Sequence, residues 1–231
     1  MGNCCNQKRE AKEDKGEKIK PKERIDQIFE KLFPPINKKE KEITMEESKY
    51  LIDYIQEKKN QIYLFEKLTT YRTVKYKIEK TAFIFVKGFF SYILNSKEKI
   101  DITIIENIVI LSHTFYKGEQ KHYLYKELKN EKYFQNLEVW EQLLDNLIKK
   151  NLEQFLDTGN KEKIVTPKKN LKEKKQELYL GGITHEITVM KNFGVDKKIM
   201  KDLYSYFTKK YEISDDYKNV LNNMIEGEDN K

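Results

Sequence analysis

The stretch from Ile78 to Leu94 constrains this chain more than any other segment. Ala82, Phe83, Phe85, Val86, Phe89, Phe90 and Ile93 follow helical spacing but cover too wide an arc for a surface helix, which shows one apolar stripe. Such a helix has to be enclosed by several neighbours. Complementary stripes lie in Ile102–Tyr116 and Leu137–Leu156. The spacing therefore predicts a central helix 78–94 packed on 102–116, with Trp140, the single tryptophan, buried against that centre. The most apolar part, Thr81–Leu94, is fourteen residues long and carries Lys87 and Gly88 in its middle. A membrane span needs about 20 predominantly apolar residues, so this is read as a core helix.

Composition limits the remainder. Charged residues make up 36% of the 231, against roughly 25% in an average globular chain. Leu, Ile, Val and Phe still reach 27%, above the roughly 20% below which chains stay unfolded, so a core exists and the excess charge surrounds it. Nine Gly and four Pro are too few for a turn-rich β-sandwich. The expected fold class is all-α, an irregular multi-helix bundle with a disordered basic N-terminal arm.

The helix signals run along the whole chain. Pro21 suits a first helical position, and Ile25, Ile28, Phe29, Leu32 and Phe33 keep helical spacing up to Pro34-Pro35. Thr44 with Glu47 forms a capping box before Tyr50, Leu51, Tyr54 and Ile55. Ile62–Leu68 reads as a short third helix. Asp101 can cap 102–116, whose β-branched run also suits a strand, although Ile105, Ile108, Val109, Ser112 and Phe115 favour a helix. A short helix is expected over His122–Leu128 and a longer one over Leu137–Leu156. Three more follow a Lys-rich linker: Leu178–Phe193, Asp196–Tyr211 and Ser214–Ile225. Gly194 and Gly227 are placed as C-cap glycines. The domain division places the arm at 1–24 and one helical domain at 25–226, with a mobile loop at 158–173. The last helices should fold back as a lid, because Phe193, Tyr204 and Phe207 cannot be buried by a short three-helix unit.

Charge is unevenly spread. Residues 1–24 carry a basic surplus of three and residues 161–175 a surplus of five, so the remainder sums to −1 of the net +7. A nucleic-acid-binding fold would show a basic stripe on its folded face with aromatics or Arg among the lysines. Here the surplus is mostly Lys on apolar-poor segments, so no nucleic-acid partner is expected. Solvated tails explain such segments as well as contact with an anionic membrane does, where each Lys contributes about 1 kcal/mol.

The first residues shift that balance. The chain opens Met1-Gly2-Asn3-Cys4-Cys5-Asn6. Removal of Met1 would leave Gly2 with the free amine that an N-myristoyltransferase acylates, although Asn6 stands where Ser or Thr is preferred. Cys4 and Cys5 are the only cysteines. Neighbouring cysteines are poorly placed for a disulfide, and two Cys without a nearby His make a poor zinc site. One myristoyl chain binds a bilayer only marginally, so a second signal is needed. Palmitoylation of the adjacent thiols would supply it, with Lys8, Arg9, Lys12, Lys15, Lys18 and Lys20 as a basic supplement. No apolar run follows the start, so a secretory signal peptide is not expected. Lipidation at Gly2, Cys4 and Cys5 would place the protein peripherally on the cytoplasmic face of a membrane, either the plasma membrane or a ciliary or endomembrane.

Catalytic patterns are missing from the sequence. There is no Gly-rich phosphate loop with a following Lys, no nucleophile elbow, and no cysteine outside the N-terminal pair. His113, His122 and His185 are the only histidines, and His185-Glu186 lacks the second His a zinc helix needs at i+4. Ser112-His113 are neighbours on one helix and do not face each other. No catalytic residue, metal or cofactor is expected, and the chain reads as a non-enzyme.

A family resemblance adds to this. Leu-Ser-His-Thr-Phe-Tyr (111–116), His-Tyr-Leu-Tyr-Lys-Glu-Leu-Lys (122–129) and Tyr-Phe-Gln-Asn-Leu-Glu-Val-Trp-Glu (133–141) occur in that order. The pattern resembles the helical SBF-type domain of the large DENN-containing myotubularin-related pseudophosphatases and of small stand-alone cytoplasmic proteins. Residues 187–225 also look like that domain's C-terminal part, so the resemblance spans about 45–226. DENN and phosphatase-like regions are lacking, and no exchange-factor or phosphatase activity carries over. Taken singly, Phe115, Tyr116, Tyr125 and Trp140 are ordinary packing residues. The resemblance implies a non-catalytic all-α module of trafficking or signalling proteins. The expected function is a membrane-anchored helical adaptor or scaffold with an unidentified protein partner. The alternative is a soluble regulator of a small-GTPase or phosphoinositide trafficking pathway.

Overall fold

A computed structural model describes residues 20–34, 38, 41–72, 77–96, 100–129, 131–161 and 168–227, without the side chains of 158–161 and 168–171. The fold is all-α, an irregular bundle of ten α-helices among the described residues, with one two-stranded hairpin and one 3₁₀ turn.

The first helices follow their local signals. Helix α1 (Pro21–Leu32) opens on proline and buries Ile25, Ile28, Phe29 and Leu32 along one stripe. It begins at Pro21, the position its proline signal predicts, and so overlaps the last residues of the stretch 1–24 assigned to the arm. Helix α2 (Met45–Tyr54) has its capping box: the Glu47 amide donates to Thr44 Oγ1 at 3.1 Å, and the Thr44 amide to Glu47 Oε2 at 2.9 Å. Helix α3 (Lys58–Arg72) is longer than its apolar core of Leu64, Phe65 and Leu68.

Helix α4 (Lys80–Leu94) buries Ala82, Phe83, Val86, Phe89, Phe90, Ile93 and Leu94. Its expected enclosure is incomplete, since Ile84, Gly88 and Tyr92 form an exposed line at i, i+4, i+8. Its ring partners also differ from expectation. Phe65 of α3 lies 5.1 Å from Phe89 and 5.7 Å from Phe90, and Phe29 of α1 meets Phe85 edge-on at 6.0 Å. The Ile-rich run forms helix α5 (Ile102–Thr114), not a strand. Asp101 caps it by accepting from the Thr103 amide at 2.8 Å, and Ile104, Ile105, Ile108 and Leu111 are buried. The backbone of α5 packs on α3 and on the helix Leu137–Lys161, and that of α4 on the helix Tyr125–Leu128 and the strand Tyr116–Lys117. The rings of α4 reach α1 and α3, so α4 is not stacked chiefly on 102–116.

The short helix expected over 122–128 is only partly helical. Strands β1 (Tyr116–Lys117) and β2 (His122–Tyr123) pair antiparallel, and only α6 (Tyr125–Leu128) is helical. Gly118 at φ 69° and Lys121 at φ 50° turn the chain back, and the Leu124 amide then donates to the Phe115 carbonyl at 3.0 Å. This closure leaves Phe115 and Leu124 fully buried.

The 3₁₀ turn Lys132–Gln135 leads into α7 (Leu137–Lys161), followed by α8 (Lys168–Asn192), α9 (Lys197–Lys210) and α10 (Asp215–Glu226). The expected loop 158–173 is helical at 158–161 and 168–173, and residues 162–167 lie outside the described residues. Lysine is a good helix former, and nothing at 168–177 interrupts the register of α8. Helices α8 and α9 fold back on α7, with α10 packed on both of them, burying Phe193 and Phe207 and half-burying Tyr204. Trp140 is fully buried, but its ring partners are Phe134 and Phe193, and its indole N–H donates to the Phe134 carbonyl at 2.7 Å. One continuous apolar cluster runs from Ile25 to Ile225.

Candidate functional site

Of the predicted lipidation and membrane residues, Gly2, Cys4, Cys5, Lys8, Arg9, Lys12, Lys15 and Lys18 lie outside the described residues. Lys20 is described, exposed, and stands at the N-cap of α1 without a side-chain cap. What the structure brings together is the point from which this arm leaves the body.

That point is held by two helices. Tyr50 of α2 donates its hydroxyl to the Pro21 carbonyl at 3.4 Å. The Lys22 ammonium sits 5.0 Å from the Tyr63 ring centre, and the Arg24 guanidinium 4.3 Å from that of Tyr50. Arg24 also pairs with Glu46 at 2.6 Å. Asp26 accepts from the Tyr63 hydroxyl at 2.6 Å and faces Lys67 at 2.7 Å. Burial pushes the Asp26 carboxyl up, yet the Lys67 and Tyr63 hydrogen bonds outweigh it and hold the group below its ordinary range. The root of the arm is thereby tied to α2 and α3.

Helix α3 also lines the larger of two adjoining hollows. A groove of about 620 Å³ between α3 and α5 has Phe65 and Ile104 as its floor, with Ile62, Thr69, Thr103 and Asn107 along its walls. Lys58, Glu66 and Asp101 stand at its rim. A second hollow of about 430 Å³ shares Lys58, Asp101 and Ile104 and extends to Tyr92 and Asn95 at the end of α4. From α5 the groove is lined by Thr103, Ile104 and Asn107. Tyr63, which receives Lys22, is on the same helix as Ile62 but does not line the groove.

Two carboxylates were given no role by the sequence reading. Glu127 of α6 meets Lys87 of α4 at 2.8 Å, His122 Nε2 at 2.9 Å and Lys117 at 3.4 Å. The Lys87 hydrogen bond, aided by His122 and Lys117, holds this carboxyl at about 2 against the opposing effect of burial. It ties α6 and the hairpin to α4, with Lys117 also 4.3 Å from the Phe83 ring centre. Glu186 of α8 is only 5% exposed, and its Oε1 has no hydrogen-bond partner among the described residues. Burial, with Glu106 adding a smaller push, raises it to about 8. A turn earlier, Gly182 lets α8 approach α7 closely: a Cβ there would meet Ile148 at 3.2 Å. The sequence signal for Glu186 was its place in the otherwise apolar face of Gly182, Ile183, Val189 and Met190.

The histidines do not form a reactive group. His185 is exposed while Glu186 is buried, so the neighbouring pair points to opposite sides. His113 Nδ1 lies 3.0 Å from the Val109 carbonyl and Nε2 3.2 Å from Asn192 Nδ2, with Tyr125 stacked at 4.7 Å. Burial depresses its pKa, with a smaller contribution from His185. Among the described residues, no group of three or more His, Cys, Asp and Glu is gathered for a metal, and no helix is long and apolar enough to cross a membrane.

Compared with known proteins, the chain matches no family model, no curated protein and no solved structure. The resemblance to SBF-type domains rests on motif order alone. Of its aromatic residues, Phe115 and Trp140 are core, while Tyr116 and Tyr125 are half-buried in ring contacts with Tyr123.

Proposed function

We propose that this protein is a membrane-anchored helical adaptor acting on the cytoplasmic face of a membrane. The observation that carries the reading is the Met1-Gly2 start with Cys4 and Cys5 beside it, in a chain with no other cysteine. A myristoyl chain on Gly2 alone binds a bilayer weakly and reversibly, and a palmitoyl chain on either thiol makes the attachment stable. Lys8, Arg9, Lys12, Lys15, Lys18 and Lys20 add attraction to an anionic leaflet of about 1 kcal/mol each near the surface. Lys20 supports this reading from the folded side, because a cation at a helix N-terminus opposes the helix dipole and brings α1 no benefit. The clamp of Pro21, Lys22 and Arg24 onto α2 and α3 would hold the body in a set position relative to the anchor. The helical body would then present its surface to a protein partner, in keeping with the module-like, non-catalytic character that the SBF resemblance implies.

The test is cell fractionation with intact-mass measurement. Wild type should pellet with membranes and carry one myristoyl and at least one palmitoyl chain. Gly2→Ala should move to the soluble fraction, and the double change Cys4→Ser, Cys5→Ser should leave weak, salt-sensitive binding. Protein of unmodified mass from its native cell would end this reading.

A further inference from the structure

We propose that the groove between α3 and α5 holds the myristoyl chain of Gly2 while the protein is off the membrane. The inference rests on the acylation reading and deepens it: the singly acylated protein masks its own lipid until palmitoylation captures it at a bilayer.

Position is the first argument. The arm leaves the body at Lys20, and Lys22 lies against Tyr63 of α3, the helix whose Ile62, Phe65 and Glu66 line the groove on another face. The eighteen peptide steps from Gly2 to Lys20 span at most about 60–65 Å, so reach is no obstacle. Chemistry is the second. A saturated acyl chain needs apolar contact and no hydrogen bonds, and the groove offers a floor of Phe65 and Ile104 beside an Ile62 that is 48% exposed. Its charged groups stand at the rim. There Glu66 and Asp101 outnumber Lys58, which suits the basic surplus of residues 1–24. Size is the third. About 620 Å³ falls within the roughly 300–1,000 Å³ of small-ligand sites. A stable dimer would instead need an interface of about 1,600 Å², far more than so short a groove provides.

Masking has a measurable consequence. If the groove holds the lipid in about nine molecules of ten, apparent bilayer affinity falls about tenfold, and blocking the groove restores it. The experiment uses the full chain with Cys4 and Cys5 unmodified, made with and without a co-expressed N-myristoyltransferase. Hydrogen exchange should slow over 58–70 and 101–107 only in the myristoylated form. Flotation with phosphatidylcholine–phosphatidylserine vesicles should show Ile62→Lys and Asn107→Trp binding about tenfold more tightly than wild type, each in the myristoylated form. Ile52→Lys, at a still more exposed isoleucine on α2 outside the groove, should bind as wild type does.

Equal exchange with and without myristate would overturn the inference, as would unchanged partitioning of both groove variants or an equal gain in Ile52→Lys. Concentration-dependent dimerisation that accounts for the protection would overturn it too, in favour of a second copy as the occupant. Those results leave the anchor intact. Failure of the transferase to modify Gly2 at all would instead remove the anchor reading on which the groove depends.

Discussion

Glu186 ties the stability of the fold to pH in a direction opposite to most carboxylates. Its folded-state pKa of about 8 lies above the ordinary 4.5, so between these values the folded protein binds more protons than the unfolded chain. Its contribution is fully present below pH 4.5 and is lost as pH rises through 8. At about 1.4 kcal/mol per unit, the loss over that window is on the order of 5 kcal/mol. Urea denaturation from pH 5 to 9 should show this decline in wild type, and Glu186→Gln should flatten it. Glu127 acts the other way. Its pKa of about 2 means that its contribution stands above pH 4.5 and fades as pH falls toward 2. A quarter of its side chain is exposed, so screening limits the effect to about 1–2 kcal/mol, and Lys87→Met should remove much of it in acid denaturation. Phe89 needs no charge to matter. It is buried and in ring contact with Phe65, Phe85 and Phe90, so Phe89→Ala should cost about 3–5 kcal/mol by denaturant titration.

At the level of elements, capping and register account for most boundaries. Asp101→Ala removes the acceptor for the Thr103 amide and should cost about 1 kcal/mol. That cap also helps explain why a β-branched run winds into α5, since the helix start is satisfied and Ile105, Ile108 and Leu111 fall on one buried side. The exposed line on α4 gives a contrasting prediction. A Cβ at Gly88 meets nothing within 4 Å, so Gly88→Ala should stabilise the helix by about 0.5–1 kcal/mol. A matching rise in thermal midpoint would show that the glycine there is not required by packing. Gly118 is the reverse case: at φ 69° any side chain is strained, and Gly118→Ala should lower the midpoint by loosening the β1–β2 turn.

Across the whole molecule, one apolar cluster joins α1 to α10, so the described residues should unfold in a single transition. Trp140 reports on the C-terminal half through Phe134 and Phe193, and helix content reports on the entire chain. Coincident fluorescence and circular-dichroism transitions are expected. A tryptophan transition well separated from helix loss would mean that α7–α10 form an independent unit. The arm should contribute little, and removing residues 1–19 should leave the midpoint nearly unchanged while abolishing membrane association under the proposed function.

The all-α class, the start of α1 at Pro21, the Thr44–Glu47 capping box, the Asp101 cap and the burial of Trp140 were all legible in the sequence. Each depends on residues within a turn of one another or on hydrophobicity alone, and such interactions are written in chain order. Tertiary structure decided what depends on distant partners. It set Phe65 and Phe29 against α4, turned 116–123 into a hairpin, and continued α8 back to Lys168. It also buried Glu186 near Glu106 and left a groove where Thr103 and Asn107 face α3. The proposed lipidation residues Gly2, Cys4 and Cys5 belong to neither group, because they lie outside the described residues. Local order sets which segments coil, but the surface each helix finds depends on the shapes of side chains far apart in sequence, and only the assembled core brings those together.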